Sequence, residues 1–173
     1  MTRTTNARVA GFTFLFYIAS GIASLALAAR PHATDVLSVF TSLSALVLGV
    51  TLYALTREQD ADLALLALVC RVIEAMPGSG QGMGAIFFAV GNTLFCWLLL
   101  RGRMIPAPLA WLGVVASALL VVVLLAQRAG LFAGAVNWSS SVTWLVWLPA
   151  LVFEIALAFW LLINGVAPAR ATL

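Results

Sequence analysis

Six long apolar stretches, separated by short polar segments, dominate this chain of 173 residues. We place them at about 9–29, 35–56, 59–76, 84–100, 107–126 and 141–165. A helix needs about 20 mostly apolar residues to cross a bilayer core, and most of the six are near that length. Because backbone groups in lipid must be hydrogen-bonded within the segment, helices are favoured. The pattern predicts an all-α fold, in which 1–173 forms a single integral membrane domain: a polytopic transmembrane bundle of six helices.

The composition points to the lipid bilayer as the main partner of this chain. It is 64% hydrophobic and only 9% charged, whereas soluble domains average about 45–50% apolar and about 25% charged residues. All basic side chains are Arg, and apart from Arg71 they are scattered near the ends of the spans. A nucleic-acid interface would instead concentrate them on one face. We therefore predict no nucleic-acid partner.

The distribution of Arg predicts the orientation. If the N-terminus is cytoplasmic, six of the nine Arg side chains lie on the inner side and two on the outer side, which is the bias known as positive-inside. An even number of spans then returns the C-terminus to the cytoplasm. The inner six are Arg3, Arg8, Arg57, Arg101, Arg103 and Arg170, and the outer two are Arg30 and Arg128.

The first span could be read as a cleaved signal peptide or as a retained helix. It has a basic start, and the small residues at 26–28 would suit a cleavage site. Its apolar run, however, is longer than the about 7–15 residues of a signal core, so we predict a retained helix. Gly11 and Gly21 provide small surfaces at which a neighbouring helix can approach closely.

Apart from acidic residues at the starts of two spans, three charged residues lie within the apolar spans: Arg71 and Glu74 in the third, and Glu154 in the sixth. A charge near mid-membrane costs about 2.5–3.5 kcal/mol on insertion scales, so such residues usually have a structural or functional role. Arg71 and Glu74 are three apart and share one face of a helix. Because a guanidinium has five donors, Arg71 could bind Glu154 as well. We predict that the three form one buried cluster.

Two interpretations of this cluster remain open. In the first, it is a structural clamp whose mutual hydrogen bonds offset the insertion cost. In the second, the surplus carboxylate acts in ligand binding, in proton relay or in a cation site. Ion pairs that are purely structural resemble functional ones, so the sequence does not decide between them.

The connections carry further predictions. Only fourteen residues separate Asp62 from Pro77, about 21 Å of helix, so the third span must begin in the charged loop or be surrounded by protein. The sequence GSGQGMG at 78–84 predicts an outer hinge. Thr34 or Asp35 would suit the N-terminus of the second helix. Pro108 suits the first turn of the fifth.

Candidates for catalysis or metal binding are few. Cys70 and Cys96 both fall in apolar stretches, where small packing residues are more common than redox sites. The one His, His32, is predicted to be a solvated loop residue, which leaves almost no ligands for a His/Cys metal site. No Ser lies in a nucleophile-elbow pattern. We therefore predict no cofactor, no metal and no catalytic residue, and we incline against an enzyme.

Several motifs, taken together, resemble a bacterial family of small membrane proteins, domain-of-unknown-function family 4386. They are Arg8-x-x-Gly11, Arg71-x-x-Glu74, Pro106 followed by LAWLG at 109–113, and Pro149 and Glu154 followed by WLLING at 160–165. The resemblance spans nearly the whole chain. It implies a multi-pass helical bundle in the bacterial cytoplasmic (inner) membrane, without an established activity. It also implies that Arg71, Glu74 and Glu154 belong to the family pattern.

Three functions are compatible with these features. The leading hypothesis is a non-enzymatic membrane protein that binds a partner protein or a small apolar ligand between its helices, because a polar cluster occurs without a catalytic set. The second is a small proton-coupled transporter that uses Glu154. The third is an intramembrane enzyme with a carboxylate base.

Overall fold

The computed structural model of the protein describes residues 2–76, 83–131 and 141–167, with the side chains of 141–143 left aside. Six α-helices follow one another in this part of the chain, and no strand occurs in it. The predicted all-α bundle of six helices is confirmed. The helices are α1 (Arg3–Ala26), α2 (Pro31–Thr56), α3 (Ala61–Ala75), α4 (Met83–Arg101), α5 (Ala107–Arg128) and α6 (Ser141–Ile163).

Five of the helices are long and apolar enough to cross a membrane, and α3 is the exception. With 15 residues, α3 extends for about 22 Å, short of the about 30 Å hydrocarbon core. It takes only Ala61 and Asp62 from the preceding charged segment, because Asp60 caps it and accepts a hydrogen bond from the Leu63 amide at 3.1 Å. On both sides α3 contacts other helices, α2 and α4.

Capping side chains and Pro residues account for where several of the helices begin, and one prediction about a helix start was wrong. Thr2 caps α1, so this helix begins earlier than predicted. The prediction that Thr34 or Asp35 caps α2 was wrong: α2 begins at Pro31, whose fixed backbone angle and missing N–H suit the first turn. Pro108 lies in the first turn of α5, as predicted.

The helices form a closed ring. Each contacts the next one in the chain, and α6 returns to contact α1. Gly11 marks this closure, because a Cβ there would lie 2.7 Å from the Ala158 carbonyl oxygen of α6. The close approach predicted at Gly11 is confirmed. At Gly21, by contrast, a Cβ would meet no described atom within 4 Å.

The interior is filled unevenly along the bundle axis. One buried apolar cluster draws on all six helices and includes Phe14, Phe95 and Phe153. A second cluster lies at the end of the bundle away from residue 3. Within the described part of the chain its buried members come from α4, α5 and α6, and α1 contributes only the partly buried Tyr17. The α1 side is therefore less completely packed at that end.

The outer surface is apolar, as contact with lipid requires. Large apolar side chains on every helix are exposed, among them Phe12, Val39, Leu65, Trp97 and Val122. A soluble monomer rarely exposes so much contiguous apolar surface. The protein is a membrane protein, and the lipid bilayer accounts for this surface.

Candidate functional site

The centre of the polar cluster is an ion pair on α3. The Arg71 side chain has no exposed surface, and its Nη1 donates to Glu74 Oε2 at 2.9 Å. The two residues share one face of the helix, as their spacing predicts. Such a pair forms only where hydrogen bonds compensate the loss of hydration, so the remaining polar atoms of both side chains need partners.

Neighbouring helices supply most of these partners, whereas Arg71 Nε has none among the residues that the structure describes. The Tyr17 hydroxyl of α1 donates to Glu74 Oε1 at 2.8 Å. Arg71 Nη2 donates to Asn92 Oδ1 of α4 at 3.3 Å, and Asn92 Nδ2 donates to Ser117 Oγ of α5 at 3.1 Å. A chain of hydrogen bonds thus connects α1, α3, α4 and α5 through the interior of the bundle. We refer to these five residues as the polar network.

The sequence prediction did not include Tyr17, Asn92 and Ser117 in the site. Each is a polar side chain well inside an otherwise apolar span, and that signal was available for Asn92 in particular. This signal did not identify them as site residues, because Ser, Tyr and Asn side chains in membrane helices often hydrogen-bond to their own helix or lie at the membrane–water interface. Only the rotation of the helices brings them together.

An aromatic ring completes the surroundings of the guanidinium. The Arg71 Cζ atom lies 4.9 Å from the centroid of the Phe88 ring, a cation–π arrangement. Phe88 also stacks on Tyr17, with ring centroids 6.3 Å apart, and on Trp147, with centroids 5.7 Å apart. The polar network is therefore continuous with a row of stacked aromatic rings.

Glu154 lies beside this network without joining its hydrogen bonds. It is 4% exposed and within electrostatic range of Arg71 and Glu74. No ion pair connects it to Arg71, and its Oε1 atom has no hydrogen-bond partner among the residues that the structure describes. The structure thus brings Arg71 and Glu74 into direct contact, and it leaves Glu154 close to them with a buried, unpaired oxygen.

Glu154 borders a cavity of about 340 Å³ between α1, α2, α4 and α6. The cavity occupies the end of the bundle where packing on the α1 side is incomplete, and Glu154 is the one charged residue among its described lining. Its volume is at the lower end of the about 300–1,000 Å³ typical of small-molecule sites. The lining includes Tyr17, Gly21, Thr41, Phe88, Trp147 and Glu154.

Other predicted features lie away from the cavity. Cys70 and Cys96 are buried thiols without a disulfide bond, in agreement with a packing role. His32 is exposed, as predicted, but it lies in the first turn of α2 and not in a loop. Within the described ranges, no three His, Cys, Asp or Glu side chains are grouped so that they could hold a metal ion. Most of the predicted hinge at 78–84 lies outside the described residues.

Comparisons with known proteins agree with the resemblance seen in the sequence. No curated protein and no solved structure matches the chain. A family model, described as a domain of unknown function (DUF4386), matches residues 77–165, slightly more than half of the chain. The matched part contains Asn92, Ser117 and Glu154, whereas Tyr17, Arg71 and Glu74 precede it. With this extent of match, the chain belongs to the DUF4386 family.

Proposed function

We propose that this protein binds a small, largely apolar ligand inside its helix bundle, in the cavity between α1, α2, α4 and α6. The observation that carries this proposal is the cavity itself, which is lined by apolar side chains and bordered by a buried carboxylate. Ligand sites typically combine apolar walls with a few polar groups that set orientation. Arg71 and Glu74 hold part of the cavity wall in place, because Glu74 accepts a hydrogen bond from Tyr17, which lines the cavity.

The location of the cavity supports a ligand that arrives from the membrane. Its walls belong to helices whose outer surfaces contact lipid, and Trp144 and Leu148 line it while remaining half-exposed. We propose that the site faces the outer leaflet of a bacterial inner membrane, with both termini in the cytoplasm. This placement rests on the distribution of Arg along the chain.

A cavity-filling variant tests the proposal. Gly21→Leu would place a side chain in the cavity, because a Cβ at Gly21 meets no described atom within 4 Å. Ala19→Leu makes a similar enlargement on the exposed side of the same helix and is the matched control. Binding is measured by equilibrium dialysis of tert-butylbenzene, a neutral apolar probe, against nanodiscs with and without protein.

We expect about one bound probe per protein above the lipid background for the wild type and for Ala19→Leu, and none for Gly21→Leu. Native mass spectrometry of protein released from mild detergent adds a second reading, because a co-purified molecule would be lost in Gly21→Leu alone. Equal binding by both variants would contradict the proposal, as would a wild type without excess probe.

A proton-coupled carrier is the second candidate, favoured by the unpaired oxygen of Glu154 beside the cavity. Buried carboxylates of this kind serve as proton relays in transporters. Proteoliposomes containing a pH-sensitive dye would report proton entry under an imposed membrane potential. Proton entry that occurs in the wild type and disappears in Glu154→Gln would favour the carrier. No proton entry in the wild type would favour ligand binding without transport.

A further inference from the structure

The charge balance of the buried groups is uneven. Arg71, Glu74 and Glu154 together carry one more negative than positive charge. Glu74 already accepts hydrogen bonds from Arg71 and Tyr17, and both terminal nitrogens of Arg71 are engaged, by Glu74 and Asn92. The Glu154 carboxylate is therefore the group whose charge is least compensated within the described part of the protein. A buried carboxylate oxygen without a hydrogen-bond partner, as Glu154 Oε1 is among the described residues, is costly unless a proton or a cation joins it.

The lining of the cavity makes this imbalance relevant to a ligand. Arg71 does not border the cavity, so the positive charge lies behind the wall, whereas Glu154 forms part of the wall. An anionic head group would meet the carboxylate without an opposing cation. A positively charged group would instead find a counter-ion at the same position.

The aromatic residues favour the same sign of charge. Tyr17, Phe88, Trp144 and Trp147 all line the cavity. The faces of aromatic rings are negative and attract cations, and Trp is the strongest of them. The site already shows this preference, because the Arg71 guanidinium lies over the Phe88 ring.

We propose that the cavity selects a small organic ammonium ion with an apolar body, whose charge is held by the Glu154 carboxylate and by the surrounding aromatic rings. This inference rests on the proposed function, and it adds the chemical class of the ligand. The apolar lining accommodates the body of the ligand, while the carboxylate and the rings distinguish it from a neutral molecule of equal shape.

A pair of probes with nearly the same shape separates charge from fit. Phenyltrimethylammonium and tert-butylbenzene differ chiefly in the replacement of a cationic nitrogen by carbon. Both are dialysed against nanodiscs of phosphatidylcholine, a zwitterionic lipid, so that an anionic surface does not concentrate the cation. Wild type, Glu154→Gln and Gly21→Leu are compared, each after the lipid background is subtracted.

We expect the wild type to bind the cation at least tenfold more tightly than the neutral probe. Glu154→Gln should lose at least tenfold in affinity for the cation while its affinity for tert-butylbenzene stays within twofold. Gly21→Leu should lose both. Glu154→Asp, which keeps the charge, should retain the preference for the cation, and unchanged binding of tert-butylbenzene shows that Glu154→Gln is folded.

The outcomes distinguish this inference from the function on which it rests. Equal affinities of the wild type for the two probes, with both lost in Gly21→Leu, would overturn the ammonium assignment and leave the apolar site in place. Cation binding that is unchanged in Glu154→Gln would overturn the role of the carboxylate. Binding of neither probe to the wild type would overturn the site itself.

Discussion

Arg71 is the largest fully buried side chain in the part of the protein that the structure describes. Both of its terminal nitrogens and the face of its guanidinium have partners, namely Glu74 on its own helix, Asn92 on α4 and the Phe88 ring, and only Nε lacks one among the described residues. Removing one member of a buried pair leaves the other charged and unsatisfied, which costs more than the pair contributes. At the scale of single residues, the polar network is therefore more sensitive to loss of one member than of two.

We expect Arg71→Met to lower the free energy of unfolding by about 3–5 kcal/mol, because Glu74 is left buried without its cation. Arg71→Met/Glu74→Met should recover part of this loss. A cycle with Glu154→Gln should show weaker coupling to Arg71 than the cycle with Glu74, since no direct bond joins them. Unfolding in mixed detergent micelles provides the measurement.

The surface pair of Arg101 and Asp60 is the control for this experiment. Its atoms are 3.5 Å apart, and its side chains are 42% and 31% exposed. Arg101→Met should change the free energy of unfolding by no more than about 1 kcal/mol. Equal effects of Arg71→Met and Arg101→Met would show that burial does not set the cost.

At the scale of the helix, α1 carries two glycines with opposite surroundings. Gly11 allows α6 to approach so closely that a methyl group would meet the Ala158 carbonyl oxygen at 2.7 Å. Gly21, ten residues later, borders the cavity. The glycine-containing face of α1 thus packs against α6 near one end of the helix and borders the cavity near the other end.

Gly11→Ala should destabilise the protein by about 1–3 kcal/mol, because backbone atoms cannot move aside and the helices must separate. Gly21→Ala should leave stability unchanged or raise it by about 0.5–1 kcal/mol, since Ala is the better helix former. Thermal unfolding in one detergent compares the two. A larger loss for Gly21→Ala than for Gly11→Ala would contradict the described packing of α1.

These two glycines also show how far the sequence can predict the structure. Hydropathy and length predicted the six helices, and the three-residue spacing predicted that Arg71 and Glu74 share a face. The sequence predicted close approach at both glycines, yet only Gly11 has it. Whether a small residue meets a neighbour or an opening depends on the rotation and depth of another helix, which hydropathy does not specify. The partners Tyr17, Asn92 and Ser117 escaped prediction for the same reason.

At the scale of the whole molecule, consecutive helices run in opposite directions, so that successive connections lie at alternating ends of the bundle. The turn after α2 and the turn after α4 lie at the same end as residue 3, because Arg3 bonds Glu58 and also reaches Met104 and Ala167. The start of α2 lies at the other end. The predicted orientation therefore assigns every described turn to one side of the membrane.

Two exposed positions, one in the first turn of α2 and one directly after its end, test this orientation. We expect His32→Cys to react with a membrane-impermeant maleimide on intact cells, and Arg57→Cys to react only after permeabilisation. The native Cys70 and Cys96 are buried, so they should add little background. The reverse pattern of labelling would invert the topology.

The closure of the ring also has a consequence for synthesis. The ribosome produces α1 long before α6, yet these two helices meet at Gly11 and together enclose the cavity. During translation, the Gly11 face of α1 must be covered by lipid, or by an insertion factor, until α6 has been inserted. A nascent chain that stops after α5 can therefore hold Arg71 and Glu74 together, but it lacks one wall of the cavity. Completion of the cavity would thus mark the last step of assembly.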